Sequence, residues 1–411
     1  MNLPFDSRIW LHAAIGLLLC LGSGACDGSG HVDRTLVVRD SAGVEIVEVS
    51  RKAFDDVPLW TASPEPALRV GGPADPEGRA WHRLTGVALF APERIAVATD
   101  ASKQIMLVGS DGRTVSVVGR AGEGPGEFSN IRLIPSEDTN VVVAFDAIQE
   151  RLTLLDSVLR NPVVVPLAGL AFGQAIPQYR YSNSDLLVRI PEPRPEPSND
   201  GVVRGSARLL RMSHQGIKLV DYGRFPADDR VLRLTEQGGL TGGTPPFPRR
   251  LVTASVDSMV IIAPTGAFQL ELFHIGGRHV RSLRVAGDRV PVTSAMVLAY
   301  RARVMKWATD PYATREWTLL SNDDVFPKYL PAFDMAVMDR NGLLWVRETP
   351  RESETLASWI VFTRSGQPSG RASLPSAFVP SVITSSKLYG LWNDGVNAEE
   401  VRVYDLKRTT R

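Results

Sequence analysis

The sequence predicts an all-β fold, a six-bladed β-propeller with one helical insertion at about residues 292–310. Three observations carry that expectation. Segments that read as strand, turn, strand recur along most of the chain, with a spacing in the forties wherever no insertion intervenes, and such a period with several strands per copy is a propeller signature. Glycine and proline are abundant, 35 and 29 in 411 residues, as a fold with many turns requires. A glycine-rich segment between the first two copies has the composition needed to carry the chain from one blade to the next.

The N-terminus comes first and is not part of that fold. Arg8 supplies a weak positive region, and Ile9 to Gly22 is apolar. A membrane-spanning helix needs roughly 20 such residues, so this stretch fits the apolar core of an export signal. Ser23-Gly24-Ala25-Cys26 follows. Small residues directly before a cysteine resemble a bacterial lipobox, which implies that Cys26 is acylated through its sulfur and becomes the mature N-terminus. The match departs from the usual pattern at Ser23, where leucine is commoner. Cys20 and Cys26 are the two cysteines of the chain, so the mature protein would contain no other thiol and no disulfide. The expected organisation is therefore a signal peptide over 1–25, a tether over 26–34 and a single propeller domain over 35–411. The expected location is the bacterial cell envelope, facing the periplasm or the exterior, with the membrane as a partner through the lipid.

The copies are six. Their hairpins begin at Arg94, Val141, Asp185, Ser258, Gly342 and Leu388. Within each, apolar residues alternate or run continuously, as strands buried on one or both faces do. A single blade cannot bury both of its faces, whereas a closed ring of blades can, and it leaves few exposed edges. In the segment Val118 to Phe128, glycines at 119, 122, 124 and 126 permit a sharp turn. Pro125 stiffens that turn, and Phe128 offers an anchor. A phosphate-binding loop would instead need a helix after the glycines, and no helical pattern follows Phe128. Val70-Gly71-Gly72 to Trp81 reads as a weaker copy of the same segment.

Together with Asp100 and Asp146 at the ends of second strands, the segment Val118–Phe128 resembles the G-x-G-x-G-x-F crossings of NHL-type six-bladed propellers. Tyr329 to Phe333, Leu343 to Val346 and Tyr389 to Trp392 are similar to exported six-bladed propeller lipoproteins of soil bacteria. The resemblance covers about residues 35 to 408. It implies a fold and leaves the ligand open, because these motifs build blades.

Two insertions and one end stand out. Residues 191–206 are proline-rich and read as an extended hairpin tip in the third blade. Residues 286–332 separate the fourth and fifth copies. There Val297, Tyr300, Val304 and Trp307 recur at helical spacing over Ser294 to Thr309, with Asp310-Pro311 ending the helix. This predicts a helix packed across the rim, or a lid over the channel. Residues 35–50 read as a hairpin around Ser41-Ala42-Gly43. Either this hairpin or Leu68 to Val70 could supply the strand that closes the ring.

Charge and motifs exclude several functions. Forty-six basic and 45 acidic side chains leave a net charge of +1, which argues against nucleic acid as a partner. The six histidines form no metal-spaced cluster, and no metal or other cofactor is expected. Neither a nucleophile elbow nor a zincin motif occurs, and Ser110-Asp111-Gly112 is a hairpin turn. The leading expectation is therefore an extracytoplasmic ligand-binding or protein-interaction propeller lipoprotein. The alternative is a lactonase-like hydrolase or lyase with its site at the central channel. Calcium lactonases of this fold use Glu, Asn and Asp there, and Asn130, Asp146 and Asp334 are residues of that type. One further pattern concerns the innermost strands, which should begin near residues 83, 131, 179, 249, 333 and 378. Arg83, Arg132, Arg180 and Arg250 would then form a basic channel mouth for a small anionic ligand such as a carboxylate or sugar acid, a role suited to guanidinium forks.

Overall fold

The computed structural model describes residues 35–73, 75, 77–90, 94–167, 175–193, 201–234, 240–306, 323–351, 354–393 and 399–409. The expected signal, lipobox and tether, Cys26 included, lie outside these residues, as do Trp307 and the tip of the proline-rich hairpin.

Each sequence copy is an antiparallel meander. The first runs through Leu84–Phe90, Arg94–Thr99, Gln104–Val108 and Thr114–Val118. The second runs through Ile131–Ile134, Val142–Asp146, Arg151–Leu155 and Val163–Pro166. The remaining copies repeat this order with inner strands Ile176–Arg180, Leu251–Val256, Phe333–Met338 and Phe378–Ile383. Four antiparallel strands return the chain to the side where it started, so successive inner strands run in one direction. Each inner strand contacts the next, and the one at Phe378–Ile383 contacts that at Leu84–Phe90, which closes the ring. The arrangement is a β-propeller.

The burial pattern follows the sequence pattern. Val142–Asp146, a near-continuous apolar run, is buried throughout, because a second strand has neighbours on both faces. Thr114–Val118 alternates, with Val115 and Val117 exposed, because an outer strand faces solvent. The apolar cores lie between sheets. One joins the first two copies through Ala96, Ile105, Phe128, Leu133 and Ala144, and another joins the last to the first through Val70, Trp81, Val87, Val97 and Val401.

The N-terminal segments go to different places. Leu36–Ser41 and Val44–Val49 pair as the expected hairpin, with Ala42 and Gly43 at φ +55° and +81° in its turn, the conformation that a two-residue hairpin loop demands. This hairpin does not close the ring. Val44–Val49 lies parallel to His279–Val285 on the outer edge of the fourth sheet. Closure falls to Leu68–Val70, antiparallel to Glu399–Thr409. Leu59–Ala62 pairs with both Pro368–Pro375 and the distal half of Glu399–Thr409, joining the last two sheets at their outer side.

The expected helix is α1 (Ser294–Lys306). Thr293 caps it, its Oγ1 accepting from the Met296 N–H at 3.3 Å. Tyr300 and Val304 are buried against Val231, Val325, Phe247 and Phe326. The stripe therefore seats α1 on the long third-copy hairpin, Gly201–Met212 with Lys218–Leu234, and the residues it packs on do not line the channel.

Candidate functional site

The inner strands enclose a cavity of about 640 Å³ whose walls come from every one of them, a volume in the range of small-molecule sites. Its lining is apolar over Val87, Leu89, Leu133, Met335, Val337 and Val382, with polar groups from Thr85, Gln178, Tyr179, Thr253 and Ser255. The inner strands meet the axis edge-on, so consecutive residues of each line the cavity, as Thr85 to Phe90 do, while alternate side chains turn to the cores between sheets, Leu133 to one side and Ile134 to the other. Bulges interrupt the pairing of the inner strand in the first, third, fifth and sixth copies, between Leu84/Gly86, Pro177/Tyr179, Phe333/Met335 and Pro380/Val382, and re-aim the residues that follow.

Arg132 is the basic residue at the starting end of this cavity. It also lines a neighbouring cavity of about 310 Å³, shared with Asn130, Phe145, Glu150 and Ala175. Its Nη2 donates to Pro177 O at 3.1 Å, and its guanidinium lies 5.6 Å from the Phe145 ring centroid. Burial, and then the nearby Arg189 guanidinium, lower its pKa. Among the described residues no carboxylate forms an ion pair with it. Arg189 is itself paired to Asp228 at 2.9 Å. A desolvated guanidinium without a counter-ion, open to a cavity, is the feature an anion would satisfy.

The other predicted site residues lie elsewhere. Arg83 precedes the first inner strand in a left-handed conformation (φ +57°) and is exposed, pairing with Asp100 at 2.6 Å. Arg250 is exposed just before its strand, and its backbone N–H donates to Thr265 Oγ1. Arg180 requires a correction of position. The third inner strand is Ile176–Arg180, so Arg180 ends that strand rather than beginning it. There it is buried, with Nη2 on Ser184 Oγ at 2.9 Å and Nη1 without a partner. Of the four arginines, Arg132 alone lines the cavity. The lactonase-type residues do not converge on it either. Asp146 is consumed by four backbone N–H groups, those of Ser129, Asn130, Ile148 and Gln149. Asp334 is held by Arg347 at 2.8 and 2.9 Å. Among the described residues no group of three or more His, Cys, Asp or Glu is placed to hold a metal ion.

Carboxylates also shape the starting end without entering the cavity. Asp100 Oδ1 accepts from the Ile131 N–H at 3.0 Å, Asp228 Oδ1 from Leu251 at 2.9 Å and Glu399 Oε2 from Leu84 at 2.6 Å. Each carboxylate thus caps the first residue of the next copy's inner strand.

The far end is different, and sequence reasoning missed it. Tyr179 packs edge-on against Tyr181 at 5.1 Å. Burial first, then the carboxylates of Glu137 and Asp257, push the Tyr179 phenol well above its ordinary value, so it stays protonated. Tyr181 is pushed to about 12, mainly by burial, and it shares a hydrogen bond with Ser255. Glu137, Asp138, Asp257, Asp339 and Arg340 all line this end, in the turns that follow inner strands. The signal in the sequence was the polar residue after each inner strand, but nothing local distinguishes such a turn from any other.

Comparison with known proteins adds little. No family model matches the chain, and no curated protein matches it in sequence. Among solved structures it is similar to a DUF4221 family member from Bacteroides vulgatus, at 10% identity over 91% of this chain and 98% of that one, with a TM-score of 0.46. It is also similar to the PQQ-bound aldose sugar dehydrogenase of Streptomyces coelicolor (11%, 84% and 98%, 0.42) and to virginiamycin B lyase from Staphylococcus aureus (9%, 78% and 94%, 0.38). At these scores the likenesses carry no argument about chemistry. The fold and cavity together define a β-propeller scaffold with a pocket in its central channel.

Proposed function

We propose that this chain is a six-bladed, NHL-like propeller lipoprotein of the bacterial envelope. In this reading it is exported by its N-terminal signal, tethered through Cys26, and binds a small anionic ligand in the central channel. The observation that supports the binding reading is Arg132, a residue that lines both the central cavity and the smaller one beside it, and whose largely buried guanidinium, between the second and third sheets, has no carboxylate partner among the described residues. The residue types around it suit a carboxylate with an apolar body, since the walls beyond it are mostly aliphatic. Cavity-lining residues from every inner strand are also what a lactonase-like enzyme would use, but no observed constellation favours that reading over binding.

The test is calorimetric titration of the purified protein with octanoate. Binding at micromolar to millimolar Kd, weakened at least tenfold by Arg132→Ala, is the expected result. Equal binding by both proteins would remove Arg132 as the anchor. Mass spectrometry of the membrane-extracted protein tests the tether, which predicts an acylated N-terminal peptide beginning at Cys26.

A further inference from the structure

The two ends of the cavity carry opposite charge. Arg132, at the starting end, is the second residue of its inner strand. Glu137 and Asp138 follow the end of that same strand, Asp257 follows the fourth inner strand, and Asp339 and Arg340 follow the fifth. At about 3.3 Å per residue, Arg132 and Glu137 are separated by at most about 17 Å along the strand direction.

The far-end charges do not cancel. Asp339 is buried and accepts from two backbone N–H groups and from Trp345 Nε1 at 3.0 Å, and among the described residues no cation pairs with it. Asp257 meets Arg364 at 2.5 Å, but both are about half exposed, and such pairs are weak. Glu137 accepts from the Ser182 N–H at 2.8 Å and Asp138 from Asn140 at 2.9 Å. Arg340 donates to Leu89 O at 3.3 Å. Four carboxylates therefore face three guanidiniums, those of Arg340, Arg364 and Arg180, the last buried where its strand ends beside Glu137, with a protonated phenol among them. Tyr179, Glu137 and Asp257 line the same end of the cavity and together supply an aromatic ring, a neutral acceptor and two carboxylates, the groups that recognise an ammonium. A second anion of a ligand would meet uncompensated negative charge there.

We propose that the channel selects linear zwitterions, with the carboxylate at Arg132 and an ammonium at Tyr179, Glu137 and Asp257, and rejects dicarboxylates of the same length. This rests on the channel-binding reading above and adds to it a polarity that an anion site alone would not have. Glu137→Gln and Asp257→Asn are suitable probes. Glutamine keeps the acceptor for Ser182, and asparagine tolerates the left-handed backbone of Asp257 (φ +48°).

The experiment compares 8-aminooctanoate, octanoate and octanedioate by calorimetry on the wild-type chain and on the two variants. The expected order of affinity is 8-aminooctanoate, then octanoate, then octanedioate. Each step should be about tenfold, the size expected when one charged hydrogen bond is added to the complex or one like charge opposes it. In the variants both steps should shrink severalfold while octanoate binding stays near wild type. Octanedioate binding as tightly as octanoate to the wild type, or an order that the variants leave unchanged, would overturn the polarity. Arg132→Ala separates the two claims. If it leaves octanoate affinity intact, the anion anchor falls, whatever the order of the probes. If none of the three probes binds at millimolar concentration, both fall.

Discussion

Two seams of the ring are built from matching parts, and they differ in where the chain supplies them. Between the first and second copies, Val118 leads into Gly119, and the loop ends on the buried ring of Phe128. Between the last and first copies, Val70 leads into Gly71, and the loop ends on the buried ring of Trp81. Both glycines take positive φ, +107° and +84°; a Cβ at Gly71 would collide with the Trp81 ring, and one at Gly119 would collide with Lys103 O while pressing on the Phe128 ring at 3.1 Å. A carboxylate holds the following inner strand in both, Asp100 on Ile131 and Glu399 on Leu84. In the first seam, all of these residues lie between positions 100 and 131. In the second, residues 68–84 meet residues 399–403 from the other end of the chain. Closing that loop costs entropy that grows slowly with its length, so equal contacts leave the closing seam less secure.

Removing the anchors tests that difference with the largest expected effect. Phe128→Ala and Trp81→Ala should each cost about 3–5 kcal/mol of unfolding free energy, as aromatic truncations in cores do. Urea denaturation measures both. The local consequence should diverge. Hydrogen exchange in Lys387–Thr409 should rise in Trp81→Ala before the rest of the ring opens, because the closing strand is held there. Uniform exchange across all sheets in both variants would show that the two seams are equally cooperative.

The glycines come next. A Cβ at Gly119 would stand 2.4 Å from Lys103 O, a backbone atom, whereas at Gly71 the nearest atom is in the Trp81 side chain at 2.5 Å. Backbone yields less readily than a side chain, even one as buried as the Trp81 ring. Gly119→Ala should therefore cost about 2–3 kcal/mol and Gly71→Ala about 1–2, with Gly43→Ala as the reference. Gly43 also has positive φ but no neighbour within 4 Å, so it isolates the backbone term of about 1 kcal/mol. If Gly43→Ala costs as much as Gly119→Ala, the close approach has no consequence and conformation alone decides.

The first seam was legible in the sequence because its glycines and its anchor are contiguous. The closing seam was half legible. The likeness of Val70–Trp81 to Val118–Phe128 was visible, but which N-terminal strand closes the ring was not. Leu68–Val70 has three residues and no periodicity to weigh, while the longer hairpin at 36–49 had the stronger strand signal and went to the fourth sheet. Its pairing there is parallel, and parallel pairing leaves no turn signature between partners. The helix at 294–306 was legible from its stripe. The candidate site was legible at Arg132 only. Arg180 was misplaced because the third inner strand begins at Ile176, so the residue expected near its start is its last. Glu137, Tyr179 and Asp257 come together because inner strands from different copies end at the same level of the ring, a relation between segments far apart in the chain.

The smallest predicted effect compares the acids of the two seams. Asp75 stands at the closing seam. Burial pushes its pKa up, but the Gly71 N–H, the Arg79 guanidinium and the Glu77 N–H together outweigh burial and hold it below the ordinary 3.8. Asp100 stands at the first seam. Burial likewise opposes ionisation there, and Lys103, the Ile131 N–H and Arg83 overcome it. A carboxylate whose pKa is lower folded than unfolded stabilises the fold fully above the unfolded value, and that stabilisation is lost as pH falls through the folded value. Wild-type stability should thus be level above about pH 5 and decline below about pH 4. Asp75→Asn and Asp100→Asn should each lower the plateau by about 1 kcal/mol and flatten the acid decline, as read from urea midpoints between about pH 2.5 and 7. If the closing seam is the weaker one, Asp75→Asn should also bring forward the acid-induced exchange of Lys387–Thr409, and Asp100→Asn should not. An acid decline unchanged in both variants would place the titrating groups outside the seams.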